Sequence, residues 1–224
     1  MKPAENLSIE FCVLAKTKKY EWLLDGKQDL LELNKLYNKL KDINLDELKN
    51  DDEKKAFWIN IYNGLMCYFI IEMKITESLS KESIFKSKKA NIGGSEWSLD
   101  NIEHGILRKN KRPVNSFKAP FGKYDKRKAY MVNEKDSRIH FALNCGAKSC
   151  PAIRAYTSKN INEELKKSEE TFLQFETNID HKSKVINASK IFKWYKSDFA
   201  NQYIYAEKFK TYKIKYKEYN WNLI

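Results

Sequence analysis

Two short segments concentrate the side chains that could do chemistry. In Asp100-Asn-Ile-Glu103-His104-Gly-Ile-Leu-Arg108, helical spacing places Asp100, His104 and Arg108 on one face, with Glu103 beside the imidazole. A carboxylate there fixes the histidine tautomer and raises its basicity, as a general base requires. The plainer reading is an exposed, ion-paired or capping group. In Arg138-Ile-His140-Phe-Ala-Leu-Asn144-Cys145-Gly146, alternation predicts a strand presenting Arg138, His140, Ala142 and Asn144 on one face. Gly146 permits a positive φ at the strand end, where reactive groups are commonly presented. Cys145 becomes a nucleophile if an imidazole takes its proton, because the thiolate is the reactive form. Its plainer fate is that of a small buried hydrophobe. His181, after Asp180 in a lysine-rich turn, reads as incidental.

Other chemistries draw on the same residues. Cys145 and Cys150, separated by Gly146-Ala147-Lys148-Ser149, could close a redox disulfide or join His140 on a metal. Neither Cys-x-x-Cys nor an established zinc spacing is present, so no metal and no cofactor are expected. No Walker loop, dinucleotide fingerprint or Gly-x-Ser-x-Gly elbow occurs. Asn60 and Asn63 are amides inside the most apolar stretch of the chain. Buried, each must be hydrogen-bonded or cost roughly 1–3 kcal/mol. They either stitch that helix to its neighbours or line a cavity.

The elements that must position these groups are mostly helical. Leu30, Leu31, Leu33, Leu36, Tyr37 and Leu40 form an amphipathic stripe. Asp51 and Asp52 precede a helix over residues 53–73, apolar nearly all round and therefore the central buried helix. Gly93-Gly94 marks a hairpin tip. Ser98 is placed to cap a helix over 99–108, and residues 108–128, with Pro113 and Pro120, read as a long loop. Thr157 is expected to cap a helix running to 175 and Ser189 to cap another, while Tyr212-Lys-Ile-Lys-Tyr216 alternates as a strand. The fold class is α+β: a single helix-rich domain over residues 1–224, its central helix packed on a small, mainly antiparallel sheet.

The 224-residue chain is 42% hydrophobic and 13% aromatic, ample for a core, and carries a net charge of +12. Lysine outnumbers arginine 37 to 5, the skew of an AT-rich coding sequence. Residues 108–128 hold nine Lys and Arg against Asp125 alone, and the last 44 residues are also basic. Nucleic-acid readers favour arginine, whose planar fork binds bidentately, and no DNA- or RNA-binding motif accompanies these stretches. No apolar run approaches the roughly 20 residues of a membrane span. Met1-Lys2-Pro3-Ala4-Glu5 has no secretory signal, and four cysteines are too few for a disulfide scaffold, so a reducing cytoplasm is expected.

Phe57-Trp-Ile-Asn-Ile-Tyr-Asn63, Ser98-Leu-Asp-Asn-Ile-Glu-His-Gly-Ile-Leu-Arg108 and Arg138 through Pro151 together resemble the domain of unknown function 547. Tyr219-Asn-Trp-Asn-Leu resembles that family's closing motif, departing only at Leu223-Ile224, where the family tends to have Leu-Asn. Bacterial members of the family look like stand-alone proteins, often exported; plant members carry the domain behind a leucine-zipper region. The layout is also similar to papain- or transglutaminase-like thiol enzymes, in which a buried helix packs on a histidine-bearing sheet. In those enzymes the nucleophilic cysteine begins the central helix. Here that region is Lys55-Ala56-Phe57-Trp58, and Cys67 falls mid-helix among apolar residues.

Two functions follow. One is a cysteine-dependent hydrolase or acyltransferase acting on a small-molecule or peptide substrate. Cys145 would be the nucleophile, His104 or His140 the base and Glu103 the orienting carboxylate. Asn60, Asn63 or Asn144 would donate to an oxyanion, with Arg108 in the same pocket. The other is a non-catalytic binding module in which the same polar residues line a ligand pocket and the basic stretches meet an anionic partner.

Overall fold

A computed structural model describes residues 2–26, 29–79, 83–114 and 116–223. Its first half is built on three helices: α1 (Pro3–Asp25), α2 (Leu31–Lys39) and α3 (Asp51–Glu72). The Asn50 side chain caps α3 by accepting from the Glu53 amide at 3.0 Å, and Asp51, Asp52 and Glu53 complement the positive end of its dipole. Nearly every residue from Lys54 to Ile71 is buried, as an all-round apolar helix demands. Helix α1 covers one side of α3 at Gly64, where an added Cβ would lie 2.6 Å from the Phe11 ring. Trp97 covers another side, with its ring centroid 4.6 Å from that of Trp58.

A short helix, α4 (Ile84–Ser87), leads into the hairpin of β1 (Lys89–Ile92) and β2 (Ser95–Ser98). Gly93 and Gly94 form its tip, both with positive φ, as a two-residue turn of this hand requires. Ser98 caps the next helix as expected, its Oγ accepting from the Asn101 amide at 3.1 Å. Residues 101–107, however, form a π-helix, with bonds from Arg108 to Glu103 and from Asn110 to Gly105. The following residues make the expected long loop, ending in a 3₁₀ turn over Lys126–Tyr130.

The strand expected over 138–144 is not formed. Residues Ser137–Phe141 make a 3₁₀ helix that runs into turns. The Asp136 carboxylate caps it by accepting from the Arg138 amide, and also clamps the Arg138 guanidinium. Beyond it, the Asn63 side chain bonds the Ala142 carbonyl at 3.0 Å and the Asn144 amide at 2.8 Å. These side chains satisfy backbone groups that a sheet ladder would otherwise have engaged. Burial does not alternate either: Ile139 through Asn144 are all buried.

The second half holds α5 (Ile161–Glu176), β3 (Thr177–Asp180), β4 (Val185–Ala188), the short helices α6 (Lys190–Trp194) and α7 (Lys196–Phe199), and β5 (Lys213–Tyr216). Helix α5 starts later than the Thr157 cap predicts, because Thr157 is occupied by the Glu164 carboxylate through both its amide and its hydroxyl. Ser189 caps α6 as expected. Strand β4 pairs antiparallel with β3 and parallel with β5. The α+β reading holds, with the strands divided between a hairpin and this three-stranded sheet.

Two apolar clusters result. One surrounds α3; the other gathers Phe141, Phe172, Ile186, Phe192 and Phe199 against the three-stranded sheet. The 3₁₀ segment lies on their seam, since Ile139 belongs to the first cluster and Phe141 to the second. The C-terminal residues return across the first cluster. Leu79 donates to the Trp221 carbonyl, Leu223 to Glu77 and Lys148 to Asn222, which carries Tyr219 to the seam. Among the described residues no helix is long and apolar enough to cross a membrane.

Candidate active site

The seam opens into a cavity of about 540 Å³ whose wall includes Glu103, His104, His140, Cys145 and Cys150. The π-helix contributes Glu103 and His104, the 3₁₀ segment His140, and the turn after it both thiols. Trp194, Tyr195, Tyr219 and Trp221 supply an aromatic rim from the C-terminal part of the chain.

Glu103 is buried and receives two phenolic hydroxyls, Tyr62 at 3.1 Å and Tyr195 at 2.7 Å. Burial opposes its ionisation, but His104, His140, the Tyr195 hydroxyl and Arg108 outweigh burial and hold the carboxyl below its ordinary range. Burial keeps both tyrosines protonated, as donors must be.

The two imidazoles are anchored through different nitrogens. His104 Nδ1 lies 2.8 Å from Arg108 Nη1. A guanidinium only donates, so Nδ1 accepts and the ring proton of neutral His104 sits on Nε2. His140 Nε2 lies 3.0 Å from Asp198 Oδ2. A carboxylate only accepts, so Nε2 is the protonated nitrogen there and Nδ1 carries the lone pair of the neutral ring. Burial lowers the His140 pKa despite the opposing carboxylates, favouring that neutral ring. Tyr195 stacks on it with centroids 3.9 Å apart.

Asp198 anchors this arrangement from α7. It accepts from Arg108 Nε at 2.5 Å and Lys111 Nζ at 2.5 Å as well as from His140. Burial disfavours its charge, but hydrogen bonds from His140, Arg108 and Lys111 prevail and hold the carboxyl far below the usual range.

The two thiols form a pair bridged by one phenol. The Tyr219 hydroxyl lies 3.2 Å from Cys145 Sγ and 3.1 Å from Cys150 Sγ, and the Cys145 amide donates to Cys150 Sγ at 3.1 Å. Burial, reinforced by the thiols' own charge, raises the Tyr219 pKa and leaves it a donor. The pair divides its protons unequally. Hydrogen bonding to Cys150, together with burial, pushes Cys145 well up. Burial works against Cys150 too, but donors from Cys145, Tyr219 and the backbone amides of Cys145 and Ala147 bring it below an ordinary thiol. Both remain free thiols in this structure.

Of the residues singled out by sequence, Glu103, His104, His140 and Cys145 thus meet at one cavity, with Arg108 behind it. The sulfur hydrogen bonds run to Tyr219 rather than to an imidazole. The asparagine amides take the stitching role. Asn60 holds the Tyr156 backbone through both amide atoms, Asn63 holds Ala142 and Asn144, and Asn144 bonds the Pro151 carbonyl and the Gly146 amide. Asp198, Tyr195 and Lys111 were not anticipated. The available signal was Asp198 itself, an isolated acid within a lysine-rich stretch. Cys12 and Cys67 lie in the core, where burial pushes the Cys12 thiol far above an ordinary thiol and the Cys67 thiol up to about 11. His181 sits apart, against the Tyr212 hydroxyl.

No curated protein and no solved structure matches the chain. Residues 45–173, more than half of it, match a single family and include both imidazoles, Glu103 and both thiols of the cavity. The chain therefore belongs to the family described as "Protein of unknown function, DUF547".

Proposed function

We propose that the cavity is a thiol-dependent acyl-transfer site, a hydrolase when water accepts the acyl group and an acyltransferase when another nucleophile does. What carries this reading is that a thiol with a lowered pKa, a neutral imidazole oriented by a carboxylate and a second imidazole with its proton on Nε2 all face one cavity. Cys150 is taken as the nucleophile because the Cys145 amide donates to its sulfur and supports a thiolate there, with Cys145 as its partner in the pair. Cys150 Sγ attacks the acyl carbon, forming a C–S bond while the carbonyl electrons move to oxygen. The tetrahedral adduct collapses as the carbonyl re-forms and the bond to the leaving group breaks, and that group departs with the electron pair as its anion, as 4-nitrophenolate does, to be protonated by solvent. His140 Nδ1 then takes a proton from the attacking water, whose addition breaks the thioester and returns the thiolate. His104 Nε2–H donates to the developing oxyanion.

The test is acylation by 4-nitrophenyl acetate, followed by intact and peptide mass spectrometry. The expected result is one acetyl adduct on Cys150, absent from Cys150→Ala and long-lived in His140→Gln. Folding of both variants is checked by thermal melting. No adduct on folded protein, or equal acetylation of Cys150→Ala, would sink the acyl-transfer reading and leave a binding pocket.

A further inference from the structure

The loop between the π-helix and the 3₁₀ segment has a composition that the proposed chemistry does not use. Three large apolar side chains stand in solvent within it: Phe117 at 95% exposure, Tyr124 at 86% and Val114 at 46%. Single exposed hydrophobes are ordinary; here three fall within eleven positions of one loop. Around them Lys109, Arg112, Lys118, Lys123 and Lys126 are exposed. The one carboxylate of the loop, Asp125, is chelated by Arg127 through two oxygens and is only partly exposed.

The loop is also held in place. Asn110 and Phe121 tie its two ends by a reciprocal pair of bonds, each 2.9 Å. The Phe121 ring is buried against Gly105 and beneath the Arg127 guanidinium, and Lys111 is bonded to Asp198. Pro113, Val114, Lys118 and Pro120 form part of the cavity wall. An anchored loop therefore presents an apolar tip ringed by exposed cations at the mouth of the site.

We infer that residues 109–114 and 116–128 form an interfacial surface that docks the protein on a bilayer rich in anionic phospholipid, turning the cavity mouth toward the lipid headgroups. Aromatic and apolar side chains partition into the headgroup boundary while flanking lysines meet the negative surface. Lysine suits that role, since diffuse surface charge needs no bidentate fork, whereas nucleic-acid contacts would favour arginine. The two buried or ion-paired arginines, Arg108 and Arg127, are already used within the fold.

The test is co-sedimentation of the full chain with vesicles of phosphatidylcholine alone and of phosphatidylcholine mixed with phosphatidylglycerol, at low and high salt. Binding is expected to the mixed vesicles only and to weaken with salt. Phe117→Ser with Tyr124→Ser should weaken it by about tenfold or more, and each of Lys118→Glu and Lys123→Glu by about fivefold or more. All four positions are exposed, so the melting temperature should not move. Lys213→Glu with Lys215→Glu, in the other basic stretch, should leave binding unchanged. The inference is overturned if neutral vesicles bind equally well, if no vesicles bind, or if the Phe117 and Tyr124 variant binds as the wild type does. It is also overturned if the Lys213 and Lys215 variant abolishes binding, or if an oligonucleotide competes the protein off the vesicles. None of these outcomes depends on Cys150.

Discussion

Replacing Asp198 by asparagine removes a charge at nearly constant volume, and its effect follows from the partners left behind. The Asp198 and Arg108 side chains are 4% and 5% exposed and 2.5 Å apart. Without the carboxylate, a buried guanidinium loses its counter-charge. Such breakage costs about 3–5 kcal/mol because the remaining ion stays desolvated. At about 2–4 °C per kcal/mol for a chain of this size, the melting temperature should fall by roughly 6–20 °C. Lys111→Met provides the contrast: Lys111 is 30% exposed, so its loss should cost no more than about 1 kcal/mol. The pH dependence has a definite sign. The Asp198 carboxyl titrates lower in the folded state than its ordinary value of 3.8. Its stabilisation is therefore fully present above that value and is lost as pH falls toward the folded-state pKa. Urea unfolding of wild type and Asp198→Asn should show the full separation at pH 7, and the carboxylate's contribution to it should begin to shrink as pH falls below about 4. A difference under about 1 kcal/mol at pH 7, the value of a solvated surface pair, would refute the reasoning.

The remaining predictions test other joints of the structure. Tyr219→Phe removes a donor to the Cys150 sulfur, so the Cys150 pKa should rise and its alkylation by iodoacetamide at pH 7 should slow; an unchanged rate would mean the phenol does not set the thiol's charge. Gly105→Ala would place a Cβ 2.4 Å from the Phe121 ring, which Arg127 covers from another side, and should cost about 1–3 kcal/mol in denaturant unfolding. Asn60→Ala would strand the amide and carbonyl of Tyr156, at about 1–3 kcal/mol for each buried group, measurable by the same unfolding experiment.

How far the fold could be read depended on whether the deciding contacts were local. The hairpin was legible because Gly93-Gly94 dictates its own turn, and α3 because its apolar circumference leaves no other fate. Ser98 likewise advertised its cap. The segment 138–144 misled because its alternation of polar and apolar residues was real, yet its backbone is held by Asp136 and Asn63 rather than by a neighbouring strand. Asn63 lies more than seventy residues away in sequence, and nothing local signals that its amide will take the place of a ladder. The site divides in the same way. Glu103, His104, His140 and Cys145 were visible as reactive types in tight motifs. Asp198 was hidden because its role arises only when α7 packs across the His140 segment, bringing together residues 58 positions apart.

The closure of the site by the C-terminal residues has a practical consequence for anyone trimming the chain to its recognisable core. The family match ends at residue 173, whereas Tyr195, Asp198 and Tyr219 all lie beyond it. A fragment cut at that boundary would retain both imidazoles, both sulfurs and Arg108, but neither Asp198 nor Tyr219. Cys150 would lose its phenolic donor and His140 its carboxylate. Changes that break the backbone bonds of Trp221, Asn222 and Leu223 would likewise loosen the segment that carries Tyr219 to the thiols.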